Sequence, residues 1–167
     1  MIGSRPKYSA VVRIEIVGYD HPDSSRLIDV LQREYVERYG DEDDTPVEPA
    51  EFRPPQGLFL LGYLDDRPVG SGGWRAREAD EPGLQDGDAE MKRLFVVPDA
   101  RGRGLSRRLL AELEHTAATA GRKRMVLETG TQQPEAIGLY TSAGYTEIDT
   151  FGLHRDDPLI RCFAKEL

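Results

Sequence analysis

The chain has 167 residues, 38% of them apolar and 31% charged, with a formal net charge of −8. That length suits one domain over residues 1–167, with a core that needs neither disulfides nor metals. The acidic balance argues against nucleic acid as a main partner and mildly favours a cationic small molecule such as an amine.

The longest apolar run, residues 58–64, is far too short to cross a bilayer, so no membrane association is expected. Residues 1–6 lack the apolar centre of a signal peptide, and a cytoplasmic location is expected. The single cysteine, Cys162, can form neither an internal disulfide nor a zinc site, and no metal is expected. It reads as a small buried residue of a late strand. His154, near it in sequence, lies across a loop.

Residues 10–17 alternate apolar and polar side chains, which predicts a first strand. Leu27, Ile28, Leu31, Tyr35 and Val36 then recur at helical spacing, behind Asp23, Ser24 and Ser25 as capping candidates and ahead of Gly40 as the stop. The acidic, proline-rich residues 41–55 read as a solvated loop, with a mobile flap over an amine as the alternative. Residues 57–64 and 68–76 predict a hairpin turning at Asp65-Asp66-Arg67. Gly70, Gly72 and Gly73 mark a bulge or a close approach by another backbone within its second strand.

Residues 89–97 predict a fourth strand, ended by Pro98. Residues 104–120 predict the strongest helix, with Leu105, Leu109, Leu113 and Ala117 every four residues and Gly121 behind it. A fifth strand (124–129), a short helix (134–142) opened by Pro134, and two last strands (145–148 and 159–164) complete the chain. The order predicts a mixed α/β fold with early antiparallel hairpins and a right-handed crossover around the main helix.

The chemistry concentrates in residues 94–108. Leu94, Phe95 and Val96 end a buried-looking strand. Arg101, Gly102, Arg103, Gly104, Leu105, Ser106 and Arg107 form a glycine loop running into the main helix. The first turn of a helix has backbone N–H groups without intrahelical partners and carries partial positive charge, so it favours anions. Yet Arg101, Arg103, Arg107 and Arg108 crowd this end, opposed only by Asp99. A bound polyanion resolves the conflict, because phosphates satisfy both N–H groups and guanidinium groups. The loop lacks the lysine of a nucleotide-triphosphate loop, and Arg107 stands where a dinucleotide fingerprint needs glycine. A nucleic-acid segment of arginine and glycine would be longer. The remaining alternative is a plain glycine turn with solvated arginines.

Arg101-Gly102-Arg103-Gly104-Leu105-Ser106 closely resembles motif A of the GCN5-related N-acetyltransferase family, [Q/R]-x-x-G-x-[G/A], with serine at the last position. Residues 135–145, containing Ala136, Leu139, Tyr140, Gly144 and Tyr145, look like that family's motif B. The resemblance runs from about Leu58 to the C-terminus. It implies the acyl-CoA N-acyltransferase fold: a mixed, mostly antiparallel sheet of six to seven strands flanked by helices, with the fourth and fifth strands splayed. It implies acetyl-CoA as co-substrate. The pyrophosphate would lie on the loop from Arg101 to Arg107, and the pantothenyl arm would lie in the splay along Leu94, Phe95 and Val96.

It further implies direct attack by an amine in a ternary complex, with Tyr140 protonating the departing thiolate. Glu90 is the candidate base, provided that an unbulged strand puts it on one face with Leu94 and Val96; Glu128 is the second candidate. The family's frequent asparagine before the short helix is absent; Thr131, Gln132 and Gln133 stand there. Trp74, Tyr63, Phe59 and Tyr145 are candidates to line an acceptor pocket or to be plain core. A non-catalytic acyl-CoA-binding module, a larger acyl donor, a protein amine acceptor and a homodimer all stay open.

Overall fold

The computed structural model describes residues 12–167; the predicted start of the first strand at residue 10, and residues 1–6, lie outside them. Its strands are β1 (Val12–Ile16), β2 (Gly57–Leu64), β3 (Arg67–Arg77), β4 (Asp88–Val96), β5 (Arg124–Gly130), β6 (Thr146–Ile148) and β7 (Ile160–Glu166). The helices are α1 (Pro22–Tyr39), α2 (Leu105–Thr119) and α3 (Pro134–Ser142). The seven strands make one sheet in the order β1-β2-β3-β4-β5-β7-β6. Among the described residues only β4 and β5 pair in parallel, joined by the crossover through α2. No helix among the described residues is long and apolar enough to cross a membrane.

Capping at α1 differs from expectation. His21, rather than Asp23, Ser24 or Ser25, caps it: its Nδ1 accepts from the Asp23 N–H at 3.0 Å. Ser24 instead donates to the Gly18 carbonyl at 2.8 Å. Gly40 ends the helix in the left-handed region, φ 81°, as its lack of a Cβ allows.

The sheet is covered on both faces. Leu105, Leu109 and Leu113 of α2 pack onto it together with Tyr140 and Tyr145. Leu109 and Leu113 are fully buried, each contributing about 1.5–3 kcal/mol. They come close because β3 is bare there: a Cβ at Gly70 or Gly72 would stand 2.9 Å from a leucine methyl of α2. Gly70 and Gly72 thus make room for leucines of α2, while a Cβ at Gly73 would stand 2.9 Å from the Leu58 carbonyl, and the bulge that these glycines predict falls between Ser71 and Gly73. On the opposite face, Leu27 of α1 packs with Phe52, Phe59 and Leu61.

Two features of β4 set up the centre of the molecule. First, Ser71 lies opposite Phe95 but Gly73 opposite Lys92, so two steps along β3 match three along β4. This bulge puts Arg93 at φ 61°, and the Ser71 hydroxyl donates to its carbonyl at 2.8 Å. The extra residue inverts the alternation of side chains. Ala89 and Met91 share the α2 face with Leu94 and Val96, so Glu90 lies on the other one.

Second, β4 and β5 pair only at Asp88–Arg124, Ala89–Met125 and Glu90–Val126, then separate. The Asp88 carboxylate, fully buried, pins the paired end by accepting two hydrogen bonds from Arg124, both at 2.8 Å. Asp88→Ala is expected to lower unfolding stability by about 3–5 kcal/mol, because it strands a largely buried guanidinium. Urea denaturation checks this; a loss below about 1 kcal/mol would mean that the strands are held without the pair.

Candidate active site

The glycine loop opens where β4 ends. Gly102 and Gly104 both take positive φ, 79° and 74°. A Cβ at either would meet no protein atom within 4 Å. Glycine is needed there for backbone conformation, and the space above stays open to a ligand. Gly104 caps α2 without a side-chain hydrogen bond, and no acidic residue stands in the first turn. The first backbone bond into α2 runs from Arg108 to the Gly104 carbonyl. The N–H groups of Leu105, Ser106 and Arg107 thus have no protein acceptor among the described residues, as an anion site at a helix start requires.

A cleft of about 300 Å³ sits over this turn, bounded by Leu94, Phe95 and Val96 on one side and α3 on the other. Arg101, Gly102, Gly104, Leu105, Ser106 and Arg107 all line it. Leu105 offers only backbone, since its side chain belongs to the core. Arg103 is exposed and does not line the cleft. Arg107 reaches α3, donating to the Ser142 hydroxyl at 2.6 Å. Arg101 leans back over the strand: its Nε donates to the Val96 carbonyl at 2.9 Å and its Nη2 pairs with Glu34 of α1 at 3.0 Å. These contacts neutralise Arg101 at the mouth of the cleft.

Past Tyr140 the cleft meets a second cavity of about 340 Å³, between the diverging strands and the end of α1. Tyr140, Leu94, Gln133 and Ala136 border both spaces. Tyr140 is only 6% exposed, and its hydroxyl has no hydrogen-bond partner among the described residues. Burial pushes the phenol well above its ordinary value, so it stays protonated and able to donate.

Glu90 is not where the unbulged strand would put it. It borders neither cavity and accepts from Arg75 at 2.8 Å and from Arg77 at 2.9 Å. Burial opposes its charge, but Lys92, Arg75 and Arg77 together hold the carboxyl below the ordinary range. It is an internal counter-ion, poorly suited to take a proton. Glu128 of β5 does line the second cavity. Burial raises its carboxyl above the ordinary value, Asp43 and Glu90 adding to the effect while Lys92 and His154 oppose it. No cation within ion-pair distance holds it among the described residues.

The acidic stretch is not simply a solvated loop. Asp43 turns inward, pairs with Arg93 at the bulge and with Lys92 at 3.4 Å, and accepts from Thr45. Burial alone would raise its carboxyl; the two cations outweigh that and hold it far below the usual range. Asp44 meets His154 at 3.0 Å. Asp43, Asp44 and His154 bring possible ligand atoms within 4.8 Å of one another, but Asp43 is already committed to two cations.

The aromatic candidates fall away from this cavity. Trp74 donates to Thr116 at 3.0 Å, Tyr63 to Asp23 at 2.9 Å, and Phe59 and Tyr145 are core. Tyr35 and Tyr39 of α1 line it instead. Nothing in their local sequence marks them, because they arrive only through packing of α1 over the splay. Gln133, standing near the family's asparagine, donates to Tyr39 at 3.2 Å. Cys162 is fully buried and burial pushes its thiol up to about 12, which leaves it inert.

Residues 24–145 match the model of the acetyltransferase (GNAT) family. The chain is 34% identical over 142 residues to an IAA acetyltransferase of Azospirillum brasilense, covering 85% of this chain and 89% of that one. It is 28% identical to an uncharacterized N-acetyltransferase, YjgM, of Escherichia coli, over 78% of each chain. A provisionally named acyl-CoA N-acyltransferase from Klebsiella pneumoniae superposes with a TM-score of 0.76 at 28% identity, over 94% of this chain and 98% of that one. The PaiA N-acetyltransferase of Thermoplasma acidophilum, in complex with coenzyme A, shares the fold with a TM-score of 0.69 at 17% identity, over 94% and 99%.

Gly104→Val is expected to weaken coenzyme A binding at least tenfold, since the new side chain fills the open space and strains a left-handed residue. Isothermal calorimetry on protein with native circular dichroism measures this; unaltered affinity would take the loop out of the binding site.

Proposed function

Because the chain belongs to the GNAT family of acetyltransferases, we propose that it transfers an acetyl group from acetyl-CoA to a primary amine of a small molecule, by direct attack in a ternary complex. One observation carries the reading: an anion-ready helix start opens into a cleft that runs along a splayed strand and meets an acid-lined cavity at Tyr140.

In this reading the diphosphate sits on the N–H groups of Leu105, Ser106 and Arg107, with Arg101 and Arg107 beside it. The pantothenyl arm lies along Leu94, Phe95 and Val96, where β4 has lost its β5 partner and backbone groups are available for pairing. The thioester then lies at the junction of the two spaces. Placing both reactants there supplies much of the acceleration.

The acceptor enters as an ammonium and must lose a proton before it attacks. Glu128 is the group best placed to take it, directly or through water, and its raised proton affinity suits a base. The neutral nitrogen adds to the thioester carbonyl, and collapse of the tetrahedral oxyanion breaks the carbon–sulfur bond. Tyr140 gives its proton to the leaving sulfur, and the nitrogen's second proton restores the phenol. The products are an N-acetyl amine, free thiol and one proton released from Glu128.

Tyr140→Phe should lower kcat roughly a hundredfold with little change in coenzyme A affinity. Thiol release in steady state, alongside calorimetry, measures both; an unaltered kcat would remove the tyrosine from proton transfer.

Glu128 acts only when ionised. Activity should therefore fall as the pH drops through its raised pKa, above the ordinary value of about 4.3. In Glu128→Gln, kcat/KM should be much lower and that acidic limb absent. A variant that retains the wild-type limb would assign the base elsewhere.

A further inference from the structure

The charges around the second cavity do not balance, and the imbalance specifies the acceptor more narrowly than an amine. This inference rests on the acetyltransferase reading. The cavity is bordered by carboxylates of loop 41–44, Glu128 and Asp157, against Lys92, Arg93 and His154. Both full cations are spent on one carboxylate, Asp43. His154 faces Asp44, at 3.0 Å. Among the described residues no cation pairs with Asp41, Glu42, Glu128 or Asp157.

Two consequences follow from the pairing pattern. Both full cations of the lining already lie against Asp43, so an amine with an acid group beside or opposite it must compete with that carboxylate and meets an excess of like charge. Several carboxylates are left to receive cations, and they occupy two depths. Glu128 lies partly buried on β5, within the splay. Asp41 and Glu42 are exposed at the rim, just beyond the end of α1.

An acidic rim alone would be no more than a solvated surface. Here it adjoins the hydroxyl of Tyr140, a residue only 6% exposed, which has no hydrogen-bond partner among the described residues and stands at the border of the same cavity. Tyr35 and Tyr39 line the same cavity as these carboxylates, and aromatic faces accept ammonium-bearing chains.

We propose that the acceptor is a small dicationic amine, a diamine or longer polyamine without a carboxylate. One nitrogen reaches Glu128 and Tyr140, gives up its proton and is acetylated. The other stays an ammonium, held at the rim by Asp41 and Glu42. Acetylation removes the charge at the Glu128 end, so the product is held by the rim alone, which favours its release.

The test compares three acceptors of equal chain length with acetyl-CoA: an alkyl monoamine, the corresponding diamine and the ω-amino acid. Thiol release is the readout. The diamine should exceed the monoamine about tenfold in kcat/KM, mainly through KM, and the amino acid should be the poorest. Added salt should narrow the gap between diamine and monoamine. The double variant Asp41→Asn, Glu42→Gln should lose about tenfold more kcat/KM for the diamine than for the monoamine.

Equal kcat/KM for diamine and monoamine in the wild type would overturn the proposal, as would a double variant that affects both alike. In either case the acetyltransferase reading would stand, because turnover would persist. Absence of thiol release with every amine, combined with absent coenzyme A binding, would instead overturn the reading on which the proposal rests.

Discussion

Parallel strands normally stay paired along their length, since an unpaired backbone inside a protein costs comparably to a lost hydrogen bond. β4 and β5 depart from each other after three residue pairs, and the rest of the molecule is arranged around that departure. The Asp88–Arg124 pair fixes the point from which they diverge. The bulge at Arg93, held by Ser71 from β3 and by Asp43 from the acidic loop, re-aims β4 beyond it. α1 and α3 close the resulting gap from opposite faces, so the opening becomes two adjoining cavities instead of a cut through the sheet.

Legibility in the sequence follows how local each cause is. Arg101 to Ser106 could be read directly, because a helix start, two positive-φ glycines and a cluster of misplaced cations are neighbours in the chain. The four-residue recurrence of Leu105, Leu109 and Leu113 likewise needs no partner to be recognised, and it places α2 correctly. Glu90 shows the opposite case. Its assignment assumed an uninterrupted pleat, and the interruption at Arg93 depends on Ser71 and Asp43, 22 and 50 positions away. Tyr35, Tyr39 and Asp43 belong to segments that read as an ordinary helix face and an ordinary acidic loop. Their roles come from which surfaces meet, and a local pattern does not encode that.

Charge is handled in the same distributed manner. Arg101 is neutralised by Glu34 and by a strand carbonyl, so the phosphate-ready turn does not leave its cation bare when empty. Arg75, Arg77 and Lys92 surround Glu90 inside the sheet, and Lys92 shares Asp43 with Arg93. Each buried charge thus has its counter-charge on another element, which ties the loops to the sheet. Glu128 stands outside this scheme, and its unmatched carboxyl is what distinguishes the second cavity from an ordinary polar interior.

The burial of Cys162 also bears on bookkeeping of sulfur. A protein that liberates a mercaptan at each turnover would confuse its own assay, and risk capturing acyl groups or forming mixed disulfides, if it carried a nucleophilic sulfhydryl near the surface. Here the only such group stands on β7, sealed against Val126 of β5 and Phe151, and stays protonated at neutral pH. In the proposed reaction, the sulfur that reacts with an added dye is therefore the product's.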